Sequence, residues 1–151
     1  MGRITLRASA GFTLLELLVV LLLLALVYGL AVPMFSAGQP GTELKGATRQ
    51  IAAGLRQARN EAVRQKEEAL LVLDVEKRNF MVSGDRRRYN LPASLVYTLV
   101  TAQSDLRPDG MGAIRFYPDG SSNGGRITVA TGTRKYEINV DWLTGRVTVL
   151  N

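Results

Sequence analysis

The sequence predicts an α+β protein: an N-terminal transmembrane helix, then an amphipathic helix packed on antiparallel sheet. Three observations carry this reading. An apolar block fills the first quarter of the chain. A three-and-four-spaced apolar stripe follows it, and a series of short alternating segments separated by turn residues completes the chain. The 151 residues suffice for one modest domain, and 46% hydrophobic content supplies a core.

The first element lies between Leu14 and Val32, where only Glu16, Tyr28 and Gly29 interrupt the apolar run. As a helix it would reach about 28 Å, close to the hydrocarbon thickness of a bilayer. Arg3 and Arg7 precede it and predict a cytoplasmic N-terminus, with the rest of the chain across the membrane. A secretory signal peptide would be shorter and would place its small-residue cleavage site after the apolar run. Here the run ends in Val32-Pro33-Met34-Phe35, and the small residue, Gly11, stands before it.

Glu16 is the anomaly. A carboxylate in an apolar helix is costly and calls for a cationic partner. It stands one helical turn after Phe12. Two axially staggered helices could therefore pair Glu16 of one with a new amino terminus at Phe12 of the next. The rivals are a snorkelling carboxylate and a plain signal anchor.

Gly11-Phe12-Thr13-Leu14-Leu15-Glu16, behind a basic leader, resembles the type III signal of type IV pilins and pseudopilins. The resemblance implies cleavage after Gly11 by a prepilin peptidase, N-methylation of Phe12 and a role in assembly for Glu16. It also implies a helix kink at Pro33. The domains expected on this basis are a leader over 1–11, a membrane and filament-core helix over 12–35, a hinge over 36–41 and a globular domain over 42–151.

Ser36–Gly41 is breaker sequence, and Thr42 is a plausible N-cap for the second helix. Leu44, Ala47, Ile51, Leu55, Ala58 and Ala62 form its apolar stripe, with Arg49, Arg56, Arg64 and Lys66 off it. Strands are expected over 69–75, 80–83, 95–101, 113–117, 126–130, 135–140 and 146–150. A hairpin turn is expected at Glu76–Asn79, and longer turns at Pro118–Gly125 and Asp141–Gly145.

Several features bear on chemistry. The chain has no histidine and no cysteine, which removes the commonest general base and the commonest metal ligands. Gly120-Ser121-Ser122-Asn123-Gly124 matches a nucleophile elbow in letters only, because it lies between strands and lacks a base. Asp105, Asp109 and Asp119 stand where turns favour aspartate and lack a calcium-loop spacing. No cofactor and no metal are expected. Arg86, Arg87 and Arg88, alone or together with Arg56, Arg59 or Arg64, are the candidate anion or DNA patch, against a solvated loop diluted by Asp85. Trp142 is expected in the core. Net charge is +6, and falls by two to +4 without Arg3 and Arg7, which is mild for a nucleic-acid binder.

Ile114–Ser122 and Val140–Val147 resemble the C-terminal part of H-type minor pseudopilins of the general secretion pathway. This implies a structural subunit of an inner-membrane-anchored periplasmic filament, not an enzyme. Its partners would be the other minor pseudopilins, the major pseudopilin and the inner-membrane assembly platform, with nucleic acid not among them. The alternative is a minor pilin of a type IV pilus or DNA-uptake system. A serine hydrolase and a plain anchored binding domain are the remaining rivals.

Overall fold

A computed structural model describes residues 13–36, 40–102 and 110–151, with the backbone alone described for 28–36 and 40. The chain divides into two compact units, Met1–Gly38 and Gln39–Asn151.

The first unit holds helix α1, Leu14–Ser36. Thr13 caps it: its hydroxyl accepts the Glu16 amide at 3.2 Å, and its carbonyl accepts the Leu17 amide at 3.2 Å. This places Glu16 in the first turn, where the helix dipole favours a carboxylate. From Leu14 to Val27 every leucine and valine is 45–80% exposed, on all sides of the helix. Among the described residues no helix is long and apolar enough to cross a membrane. The described side chains of α1 stop at Val27, while its sequence runs apolar to Val32 apart from Tyr28 and Gly29.

The second unit opens with α2, Pro40–Gln65. The helix begins at Pro40, not at Thr42 as the breaker reading has it. Proline fits the first helical turn, where its missing N–H has no intrahelical partner to lose. Of the expected hinge over 36–41, Ser36 ends α1 and Pro40 starts α2; 37–39 lie outside the described residues. Lys66, at φ 57°, closes α2 with a left-handed residue.

Among the described residues eight strands follow: β1 Ala69–Asp74, β2 Asn79–Val82, β3 Arg88–Asn90, β4 Val96–Thr101, β5 Met111–Phe116, β6 Gly125–Thr131, β7 Arg134–Val140 and β8 Val147–Leu150. They form two antiparallel sheets, ordered β3-β2-β1-β5 and β4-β6-β7-β8. The β1–β2 hairpin turns where the sequence places it. The Asp74 carboxylate accepts the Lys77 amide at 2.8 Å, and Arg78 takes φ 51°.

The predicted stripe of α2 is buried in full, from Leu44 to Ala62. It packs on both sheets, against β1, β2 and β5 on one side and β6, β7 and β8 on the other. Phe80, Phe116, Leu71, Ile114, Ile127 and Ile138 complete a single core that lies wholly within Gln39–Asn151. Gly54 lets the helix approach: a Cβ there would sit 2.7 Å from Phe80 Cε2. Thr101 and Asn123 stitch the sheets together. The Thr101 hydroxyl donates to the Ala113 carbonyl at 2.9 Å, and the Arg115 amide donates to Asn123 Oδ1 at 2.9 Å.

Candidate functional site

The N-terminal signal is partly within view. Gly11 and Phe12 lie outside the described residues. Glu16 is exposed at the start of α1, and Pro33 falls in the last turn of the same helix. The sequence reading of Glu16 omits the Thr13-x-x-Glu16 spacing, half of a capping box, in which the Glu16 amide, not its carboxylate, donates to the Thr13 hydroxyl.

Within the arginine cluster, Arg87 is tied to its own neighbours. Arg87 forks onto Asp85, with Nη2 at 3.1 Å, and its guanidinium lies 5.6 Å from the Tyr89 ring centre. The Tyr89 hydroxyl donates to the same carboxylate at 2.7 Å. These contacts, the Arg87 side chain first, hold the Asp85 carboxyl well below the usual carboxylate range. Arg88 lies in β3, an edge strand that the loop reading of this segment misses. The strand is only three residues long and its outward residues, Arg88 and Asn90, are polar. Tyr89 stacks on Phe80 with ring centres 4.9 Å apart, which anchors it to the core. Arg64 pairs with Glu61 at 2.7 Å, while Arg56 reaches the Val147 carbonyl at the start of β8 and Arg59 reaches the β7–β8 turn.

The most organised surface feature is the meeting of two turns, 117–124 and 141–146. Asp119 accepts the Ser121 amide and hydroxyl at 2.9 and 2.6 Å. Asp141 accepts the Thr144 amide and hydroxyl at 2.8 and 2.7 Å. In both aspartates these bonds, the side-chain hydroxyl first, lower the carboxyl pKa. Arg59 of α2 bridges the turns, its Nε donating to Gly120 O at 3.1 Å and to Thr144 O at 3.2 Å. The backbones touch: a Cβ at Gly145 would lie 2.2 Å from Gly120 O. Ser122 is buried between them. Its hydroxyl donates to Arg115 O at 2.7 Å and accepts the Gly124 amide at 3.1 Å, and its own amide donates to Trp142 O at 2.9 Å. It is a turn staple with no base beside it, so the turn reading of Gly120–Gly124 stands.

Trp142 corrects the sequence reading. It is 67% exposed, and Leu143 beside it is 64% exposed. Asp141 and Thr144 close the turn on each other, so the two central residues must point outward. That was legible in Asp141-Trp142-Leu143-Thr144-Gly145, where the capping pair brackets two apolar side chains. No such signal announces Arg59, whose two acceptors lie 61 and 85 residues away.

Among the described residues no group of acids could hold a metal ion. Asp105 and Asp109 lie outside them.

Comparison with known proteins agrees with this geometry. Residues 6–32 match the prokaryotic N-terminal methylation motif, and residues 47–145 match the family described as type II transport protein GspH. A curated relative, type II secretion system protein H of Xanthomonas campestris pv. campestris, is 33% identical over 141 residues, covering 93% of this chain and 83% of the relative. The fold is shared with two solved structures. The type IV minor pilin FimU of Pseudomonas aeruginosa matches at TM-score 0.57 and 16% identity, over 73% of this chain and 90% of that one. The minor pseudopilin EpsH of Vibrio cholerae matches at TM-score 0.56 and 12% identity, over 72% and 96%. The family match over most of the globular unit and the near full-length relative place the chain in the GspH family of type II transport proteins, the H-type minor pseudopilins.

Proposed function

We propose that the chain is a structural subunit of the periplasmic pseudopilus of a type II secretion system, the filament that helps move folded proteins across the outer membrane. The observation that carries the reading is α1. A helix apolar on every side, with its large side chains exposed from Leu14 to Val27, has to be covered by lipid or by other helices. The methylation motif and the GspH match on one chain are what such a subunit combines.

In this reading residues 1–11 are a leader removed after Gly11 by a prepilin peptidase, and Phe12 becomes the methylated amino terminus. The helix over 12–35 first anchors the chain in the inner membrane and then packs the filament core, bending at Pro33 where an amide donor is missing. Arg3 and Arg7 hold the leader in the cytoplasm and direct the domain over 42–151 to the periplasm. Glu16 pairs with the amino terminus of a neighbouring subunit, and its place in the first turn of α1 leaves the carboxylate at the helix end where such a cation would arrive.

The test compares extracellular and periplasmic proteins in strains with and without the gene. Secreted enzymes should accumulate in the periplasm of the deletion strain. Normal secretion with failed pili, twitching or DNA uptake would instead assign the chain to a type IV pilus. Glu16→Ala should retain membrane insertion and lose filament incorporation; full incorporation of that variant would remove the pairing role.

A further inference from the structure

The outer face of the β4-β6-β7-β8 sheet holds an open groove of about 1100 Å³. Strand register sets its lining. Val100, Arg126, Asn139 and Thr148 are successive cross-strand partners and form one row over all four strands. Val100 stands on one edge strand and Leu150 on the other, 61% and 49% exposed, and Trp142 closes the end. Three strand spacings make the row about 14 Å wide, the reach of about four extended residues.

The Trp142 side chain is exposed, and the turn that carries it is held at its backbone. Its carbonyl accepts the Ser122 amide, its turn is closed by Asp141 and Thr144, and Arg59 ties that turn to the core helix. Gly124 lies directly beneath it, with room for a Cβ only 3.2 Å from Trp142 Cβ. A large exposed aromatic on a fixed backbone offers a partner a broad apolar contact without reordering of the loop that carries it, which is the character of an interface anchor. The charges in the groove are unequal in availability. Asp141 is engaged by Thr144, and Arg126 by Asn139 and Glu137. Arg146 helps hold down the Asp141 carboxyl from a distance but, among the described residues, makes no direct ion pair.

We propose that this groove seats an extended segment of a different subunit of the filament, with an apolar side chain against Trp142 and a carboxylate on Arg146. The inference rests on the filament reading above. A second copy is the poorer occupant, because the chain is net positive and two copies would oppose their arginines. A bilayer is the poorer occupant as well, because the surface is walled and floored by Thr148 and Asn139, whereas lipid contact needs a protruding apolar face.

The test places p-benzoylphenylalanine at position 142 of the full-length chain in its own cells, with exposed Thr133 on the β6–β7 turn as the control position. Illumination should give one adduct from position 142 and none from 133. Mass spectrometry should map the adduct to a carboxylate-bearing extended segment of another pilin-like subunit. Adding Arg146→Glu should lower its yield about tenfold. Trp142→Ala should leave the melting temperature unchanged, since the side chain is exposed, and Arg146→Glu should lower it only slightly, since it exchanges a surface attraction to Asp141 for a repulsion. A self-adduct, an adduct with lipid only, no adduct, or a yield indifferent to Arg146→Glu overturns the proposal. Failure of the filament reading is a separate outcome, visible as normal secretion in the deletion strain.

Discussion

Gly145→Ala tests the closeness of the two turns. Gly145 has φ 61°, and an added Cβ would meet Gly120 O at 2.2 Å and Arg59 Nε at 3.0 Å. The left-handed backbone alone costs an alanine about 1 kcal/mol. The contact is about 1 Å too short, so one turn must retreat. Retreat stretches the Arg59 bonds, now 3.1 and 3.2 Å, past useful length. Losing hydrogen bonds from a charged donor adds about 1.5–3 kcal/mol. The sum is about 3 kcal/mol, or a fall of about 10–20 °C in melting temperature for a domain of this size. Gly132→Ala is the matched control: φ is 55° there and nothing lies within 4 Å of the added Cβ. It should lose only the backbone contribution, about 1 kcal/mol. Urea unfolding of Gln39–Asn151, which contains the whole core, measures both. Equal losses at the two positions would refute the argument that the turns are locked by contact.

Three further outcomes are expected. Gly54→Ala should destabilise by about 1 kcal/mol, because crowding of Phe80 and Leu71 costs about 1–3 kcal/mol and helix propensity returns about 1. Gly46→Ala, in the same helix with open space around it, should stabilise by up to about 1 kcal/mol, and denaturant midpoints separate the two signs. Asp85 has its folded-state pKa depressed by Arg87 and Tyr89, so its contribution is present above the ordinary value of 3.8 and is lost as pH falls through the folded value. With no histidine, melting temperature should be flat from about pH 5 to 8 and fall in acid; Asp85→Asn should lower the plateau and soften the acid limb, as thermal circular dichroism at each pH would show. Ser122→Ala should lose about 1–3 kcal/mol because the Gly124 amide and Arg115 carbonyl lose a buried partner, and an activated-ester probe should not label Ser122 in the parent protein.

The helices were legible because their signals are long. Six apolar positions over five turns of α2 agree on one face, and the structure buries all six. Most strands were legible from alternation and from the turn residues between them, with ends displaced by a residue or two. The division into two sheets was not legible. It depends on β1 pairing with β5 across an interval of nearly forty residues, and local pattern carries no information on such a partner. β3 was hidden for the opposite reason, since Arg88, Tyr89 and Asn90 have too little apolar content to mark a strand and are held there by the Phe80–Tyr89 stack. Glu16 was found because a carboxylate in an apolar run is conspicuous. Trp142 was misplaced because residue type was weighed above the turn that carries it.

The way α2 lies across both sheets has a mechanical consequence. Each sheet has its own grip on the helix, through Leu71 and Phe80 on one side and through Ile127 and Ile138 on the other. A pull entering the globular unit along α2 is therefore divided between two anchorages instead of resting on one. Slippage of the three-residue edge strand β3, or of the short β8, leaves the helix fastened by the opposite half. A domain so arranged yields in stages under tension and keeps its hold on the helix after its weakest strand has given way.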